Sequence, residues 1–263
     1  MRSVFIIAVA LAAASPAAAA PVVFSAAGAD PAAIQAEVDA FRAALGANNG
    51  NVAGAQGAGR REINWDGGGA AAPATVFPSP MITFAFRGNI NATPGSGLEI
   101  SGAPTPEFGE INPTYPDIFQ PFSGPRLFAP IGSNVTDSTF TVPGTTDRPA
   151  TTNAFGVVFA DVDLEGVTGI EYFDLRGASL GTYFAEAFGG GLSFLGVLFD
   201  SSIVAGARIV TGNAALGPND GGGVDVVAMD DFIYGEPEAI PEPGALALVG
   251  FGVAAAAYAR RRR

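Results

Sequence analysis

The amino-acid sequence predicts a mainly β protein, an antiparallel and jelly-roll-like β-sandwich with one amphipathic helix near its N-terminus. Helical periodicity is confined to residues 31–45, whereas from Glu62 onward short apolar runs are separated by Gly, Pro, Asn and Asp, which is typical of strands joined by turns. Most of the 20 phenylalanines lie in these runs and would fill the space between two sheets. Strands are expected at residues 82–86, 98–101, 126–128, 138–142, 155–162, 169–174, 180–184, 192–199, 202–210 and 225–234.

The first 19 residues are expected to form a secretory signal peptide. Arg2 supplies a positive start, residues 4–14 are apolar, and small residues follow. Ala17 and Ala19 fit the small-residue rule for cleavage after Ala19 by signal peptidase. The sequence therefore predicts export of the segment that begins at residue 20.

Residues 31–45 are expected to form a helix that packs against the sandwich. Asp30 is placed as its N-cap and Pro31 at its first position, while Gly46 fits a C-terminal cap. Spacings of four, three and four place one set of apolar residues on a single face: Ile34, Val38, Phe41 and Leu45. One domain spanning residues 20–239 is expected to contain both the helix and the strands.

Residues 241–263 carry three different signals in order. A stiff tripeptide comes first (Pro241, Glu242 and Pro243), then an uncharged apolar run, then four cations (Arg260, Arg261, Arg262 and Arg263). The 16 apolar residues at 244–259 would make a helix roughly 24 Å long, short of the ~30 Å hydrocarbon core unless flanking residues snorkel. The arginines would hold their end in the cytoplasm. A plain tail anchor, which needs only apolar residues and cations, is the alternative.

This combination resembles the PEP-CTERM sorting signal of Gram-negative bacteria. The resemblance implies that exosortase, a membrane protease-transpeptidase, recognises the tripeptide and removes the tail in bacteria that make extracellular polysaccharide. The C-terminal helix would then anchor the protein in the inner membrane only transiently. The segments GRREINWDG, FGVVFADVDL and VVAMDDFIYGEP are similar to uncharacterised secreted PEP-CTERM proteins, a similarity that implies no activity.

Composition narrows the chemistry of the exported segment. The chain has no cysteine and no histidine, which excludes serine-histidine and cysteine-histidine catalysis, thiolate or imidazole zinc sites, and disulfides. Between residues 20 and 239, 8 arginines face 24 carboxylates, a net charge of −16 that repels nucleic acid and anionic lipid. Carboxylate, hydroxyl and carbonyl oxygens remain, which suit calcium or glycoside hydrolysis.

The segment DVDLEG is the motif closest to metal chemistry. Asp161, Asp163, Glu165 and Gly166 match the first half of an EF-hand calcium loop, but the twelfth position would be Tyr172 and no helices flank the segment. Every second residue of a strand also lies on one face. Calcium in a sandwich loop and a plain acidic strand end are both open.

Asp230 and Asp231 interrupt the apolar run VVAMDDFIYGEP. Alternation along a strand must turn one of these two carboxylates inward, where it needs a partner. The alternatives are an ion pair with Arg176 or Arg208, and a calcium ion shared with the DVDLEG carboxylates.

Trp65 is the only tryptophan and lies between Glu62 and Asp66. One interpretation makes it an exposed platform on which a sugar ring stacks. The other packs it against the sandwich, as is usual for tryptophan.

These features predict a non-catalytic cell-surface or matrix protein that binds or organises extracellular polysaccharide, with structural calcium as an option. The first alternative is a glycosidase-like hydrolase that uses as acid and base two of five carboxylates: Asp161, Asp163, Glu171, Asp230 and Asp231. The second is a purely structural surface protein. Sugar binding rests on fold-level analogy.

Overall fold

The computed structural model describes residues 19–240. Residues 1–18 of the expected signal peptide and the whole sorting segment 241–263 lie outside that range. The elements are β1 (Val22–Gly28), α1 (Pro31–Leu45), β2 (Arg60–Ile63), β3 (Thr75–Phe77), β4 (Asn89–Ala92), β5 (Gly97–Ile100), β6 (Phe128–Ile131), β7 (Val135–Phe140), β8 (Ala150–Thr151), β9 (Ala154–Val162), β10 (Gly169–Phe173), β11 (Ser179–Phe184), β12 (Phe188–Leu198), β13 (Gly206–Val210), β14 (Ala228–Gly235) and β15 (Glu238–Ala239).

Two antiparallel sheets form a sandwich, which confirms the predicted fold class. The larger sheet has the order β1-β12-β9-β14-β6-β5-β3, with β2 also paired to β14. The smaller sheet has the order β11-β10-β13-β7-β4, and β15 pairs with β8 in a separate two-stranded ribbon. Sequence neighbours such as β10 and β11 form hairpins, whereas β9 and β14 come together from distant parts of the chain.

Aromatic side chains fill the space between the two sheets. Phe155 of β9 meets Phe140 of β7 and Phe232 of β14 edge to face, with ring centroids 5.8 and 5.4 Å apart. Tyr172 of β10 is buried beneath them and donates its hydroxyl to the Phe155 carbonyl. Such contacts exclude water from both inner faces and supply most of the stabilisation of a sandwich.

Helix α1 covers the opposite face of the larger sheet, as its apolar stripe predicts. Asp30 caps it by accepting a hydrogen bond from Ala33 N at 3.0 Å. Phe41 lies over Gly156 of β9 and Gly196 of β12, where an added Cβ would approach its ring to 3.0 Å. Because both faces of the sheet are covered, all nine residues of β9 are buried.

The predicted strand at 82–86 is wrong, because a 3₁₀ turn at Ala85–Arg87 occupies this region. The predicted strands also leave out β1, β2, β3, β4, β8 and β15. β3 and β4 are short strands at the ends of their sheets, and pairing to distant residues determines them more than local pattern does. Within residues 19–240, no helix combines the length and apolar character that crossing a membrane requires.

Candidate functional site

An acidic cluster forms where β9 ends. Asp161 adopts φ +66°, a left-handed conformation that turns its side chain out of the strand alternation. Opposite it, the pairing of β12 with β9 shifts register between Phe188 and Leu192, and the three glycines at 189–191 fill the interruption. Gly190 N donates to Asp161 Oδ1 at 2.5 Å. The glycine run therefore makes room for acidic side chains: a Cβ on Gly189 would lie 2.3 Å from Asp163 Oδ1.

Asp163 and Asp220 complete the cluster. One carboxylate oxygen from each of Asp161, Asp163 and Asp220 lies within 4.8 Å of the other two. Asp220 comes from the loop between β13 and β14, and this loop is held in place by Asp225. The Asp225 carboxylate accepts hydrogen bonds from Asp163 N and Leu164 N at 3.3 and 3.2 Å. The chain thus folds back to bring a third carboxylate to the predicted pair.

The electrostatics of the cluster disfavour the ionised form of all three carboxylates at once. Asp161 is 2% exposed, and its Oδ2 has no hydrogen-bond donor. Burial raises the pKa of Asp161 to about 7, with a further contribution from the charge of Asp220. Burial and the same neighbour also raise the pKa of Asp163. Among the ion pairs of residues 19–240, none involves these three carboxylates.

The structure does not bring Asp230 and Asp231 to this cluster, so the predicted shared site is wrong. A register shift between Met229 and Phe232 lets both carboxylates point into the protein. Asp230 Oδ2 accepts from the backbone amides of residues 122 and 123, at 2.6 and 3.0 Å. Asp231 accepts from Ser123 Oγ at 2.5 Å and from Arg42 Nη2 at 2.8 Å.

The cationic partner of this pair also differs from the predicted ones. Arg42 lies on α1, whereas Arg208 pairs with Asp137 across the smaller sheet at 2.8 Å. Arg176 is exposed in the turn between β10 and β11. Because helix α1 packs on the larger sheet, its Arg42 side chain can contact Asp231 of β14. The alternation of residues along a strand does not predict that contact.

Trp65 is buried, which rules out the exposed sugar platform. The residue is 2% exposed, and its indole ring stacks on Phe128 with centroids 3.9 Å apart and planes at 4°. The indole N–H donates to the Asp230 carbonyl at 2.8 Å. Trp65 therefore belongs to the core between the sheets, as the alternative interpretation held.

A cleft of about 640 Å³ opens beside Trp65. Phe77, Phe84 and Phe86 line it, and Phe86 is 41% exposed. The Arg87 guanidinium lies 5.3 Å from the Phe86 ring centroid and 5.9 Å from that of Phe84, which holds these rings at the wall. The cleft thus presents aromatic surface that the buried indole does not.

Polar groups share the lining of this cleft. Asp66 accepts from Arg126 N at 3.2 Å, and burial raises the pKa of Asp66 to about 6. The Arg126 guanidinium donates to backbone carbonyls, among them Ser101 O at 2.6 Å and Gly67 O at 2.7 Å. Arg126 therefore stabilises the backbone around the cleft. The Asp66 carboxylate can still accept a hydrogen bond from a ligand.

Two predicted acidic residues belong neither to the acidic cluster nor to the lining of the cleft. Glu165 is exposed in the turn after β9, where Ala187 N donates to it at 3.4 Å, and Glu171 pairs in register with Arg208 on the smaller sheet. Sequence reasoning missed Asp220 and Asp225. The one available signal was their place in a Gly- and Asn-rich loop, GPNDGGGVD, which resembles an ordinary turn.

Comparison with known protein families identifies the C-terminal segment of the chain. Residues 239–263 match the PEP-CTERM protein-sorting motif, so the chain carries this sorting signal, and the motif implies processing by exosortase. No curated protein matches the chain. The matched motif begins at Ala239, the last residue of β15.

Proposed function

We propose that this exported, PEP-CTERM-sorted chain is a non-catalytic surface or matrix protein whose cleft beside Trp65 binds extracellular polysaccharide. The motif supports the exported, extracytoplasmic location. One observation supports the binding role: an open cleft of about 640 Å³ combines exposed aromatic rings with a carboxylate.

The chemistry of the lining suits a neutral sugar. A pyranose ring offers apolar C–H faces to aromatic rings and hydroxyl groups to polar acceptors. Phe77 and Phe86 supply the first kind of surface, and Asp66, Thr75 and Thr83 supply the second. A net charge of −16 over residues 20–239 repels acidic polymers, so the preferred ligand is a neutral polysaccharide.

Structural calcium is part of the same proposal. Oxygen ligands are the only ones this cysteine- and histidine-free chain can offer from its side chains, apart from methionine sulfur. Calcium would stabilise the sandwich that presents the cleft and would take no part in sugar recognition, since the acidic cluster and the cleft share no residue.

A binding experiment tests the polysaccharide role. The exported protein is applied to an array of neutral and acidic bacterial polysaccharides, and retention is compared with that of Phe86→Ala and Asp66→Asn variants. We expect retention on neutral polymers and at least a tenfold loss in each variant, since a stacking or hydrogen-bonding contact of about 1.4 kcal/mol is removed.

Phe184→Ala is the matched control, because Phe184 is 50% exposed on β11 and lies outside the cleft. This variant should bind as the wild type does. Equal retention of all variants would refute the cleft as the binding site. Release of reducing sugar from any of these polymers would refute the non-catalytic role and support a hydrolase instead.

A further inference from the structure

We infer that Asp161, Asp163 and Asp220 bind one calcium ion that fastens the loop between β13 and β14 to the end of β9. This inference rests on the calcium part of the proposed function and supplies its site. The ligand set differs from the one that the sequence suggests, because it includes Asp220 and does not include Glu165, Asp230 or Asp231.

The spacing of the three carboxylates fits a single ion. Calcium binds oxygen at about 2.3–2.6 Å, so two ligands on opposite sides of the ion are up to about 5 Å apart. The oxygens of Asp161, Asp163 and Asp220 all lie within 4.8 Å of one another. Asp163 is exposed and Asp220 half-buried, which leaves one side of the ion open to the water molecules that calcium usually retains.

Asp161 Oδ2 is the independent observation that points to a ligand. This atom is buried without any donor, although Oδ1 of the same carboxylate is satisfied by Gly190 N. A buried acceptor without a partner is costly, and a buried carboxylate next to two others is more so. A cation at the cluster gives Oδ2 a partner and removes the repulsion from Asp163 and Asp220 at the same time.

Hydrogen bonds within the protein position the loop between β13 and β14 for this ion. Two aspartates of this loop fix its position. The Asp225 carboxylate accepts hydrogen bonds from Asp163 N and Leu164 N. Asp220 Oδ1 accepts from Val226 N at 3.0 Å. These bonds place the Asp220 carboxylate at the cluster before any ion arrives. A bound ion would then link β9, the glycine bulge of β12 and the loop before β14.

Thermal unfolding of the full exported protein, followed by circular dichroism in excess calcium and in chelator, tests the inference. A ligand that binds only the folded state stabilises it, and at 100 times Kd the shift in Tm for a domain of this size is about 5–10 °C. We expect a shift of this size in the wild type and its loss in Asp220→Asn. Titration calorimetry should give one site per chain.

Two further variants keep the result interpretable. Asp161→Asn replaces the unpaired buried carboxylate by an amide, so it should melt higher than the wild type in chelator and respond no further to calcium. Asp147→Asn removes an exposed carboxylate from the turn between β7 and β8 and should keep the full shift. The absence of a calcium shift in the wild type, or a shift that survives in Asp220→Asn, overturns the inference.

The cation site and the polysaccharide role can fail separately. A calcium shift in a protein that retains no polysaccharide leaves the site standing and refutes the binding role. Retention of polysaccharide by a protein whose Tm is the same in calcium and in chelator refutes the site and leaves the binding role standing.

Discussion

Replacing Arg61 by methionine should destabilise the protein more than most single changes. Arg61 is fully buried on β2 and donates from Nε and Nη2 to the Glu236 carboxylate, both at 2.8 Å. The same guanidinium donates to three carbonyls of the loop between α1 and β2, those of Gly50, Val52 and Gly54, at 2.9–3.2 Å. One side chain therefore fixes both a loop and the end of β14.

The magnitude follows from what Arg61→Met leaves behind. Glu236 would stay buried with two neutral donors, Asn49 Nδ2 at 2.8 Å and Gln56 N at 2.9 Å, and without its cation. Breaking a buried ion pair by removing one partner costs about 3–5 kcal/mol. At about 2–4 °C per kcal/mol, Tm should fall by about 6–20 °C.

Urea unfolding followed by circular dichroism measures the loss, and two comparisons sharpen it. The double variant Arg61→Met/Glu236→Gln should recover part of the stability, since no buried charge remains without a partner. Arg208→Met should cost less than about 1 kcal/mol, because the Arg208–Asp137 pair is half exposed and screened by water. A loss of less than about 1 kcal/mol in Arg61→Met, or a double variant no more stable than the single one, would refute the reasoning.

Two further predictions concern the larger sheet. Burial raises the pKa of Glu99 on β5 to about 8, with Glu110 contributing a hydrogen bond and its charge. The folded state thus holds a proton that the unfolded chain releases. The free energy of unfolding should therefore fall as the pH rises from about 5 to about 8, by at most about 1.4 kcal/mol per pH unit. Glu99→Gln should flatten this slope in urea titrations at several pH values, and an unchanged slope would contradict the assignment. Gly156→Ala would place a Cβ 2.9 Å from Gly196 Cα and 3.0 Å from the Phe41 ring, so it should cost about 1–3 kcal/mol in the same assay; wild-type stability would show that α1 can shift away.

The sequence predicts those elements whose signals are local. Helix α1 has its cap, its first-turn proline and its apolar stripe within 17 consecutive residues, and its predicted range 31–45 matches the structure. β9 is equally legible, because a strand covered on both faces is a continuous apolar run. β4 contains two buried asparagines in four residues, and its strand conformation comes from pairing with β7 almost 50 residues later. No local pattern reports such a pairing.

The same distinction applies to the sites. The spacing of Asp161 and Asp163 is a local signal, and the structure keeps these two carboxylates together. The approach of Asp220 depends on how a glycine-rich loop folds back. Asp230 does not join these carboxylates, because its own carboxylate accepts from the backbone amides of residues 122 and 123. Trp65 has charged neighbours in sequence, yet Phe128, more than 60 residues later, provides the aromatic surface that buries it.

The buried acids of this domain differ in what balances them. Glu236 and Asp231 have arginine partners within the chain, so their stabilisation does not require a cation from the surrounding medium. Asp161 has no such partner, and a proposed calcium ion would make its contribution depend on the surrounding medium. The Arg61–Glu236 pair and the acidic cluster lie at opposite ends of β14, whose eight residues span about 26 Å, so the two contributions should add without coupling. A chain sorted to the cell exterior would then have a framework that is stable without calcium and a loop that calcium fastens after export.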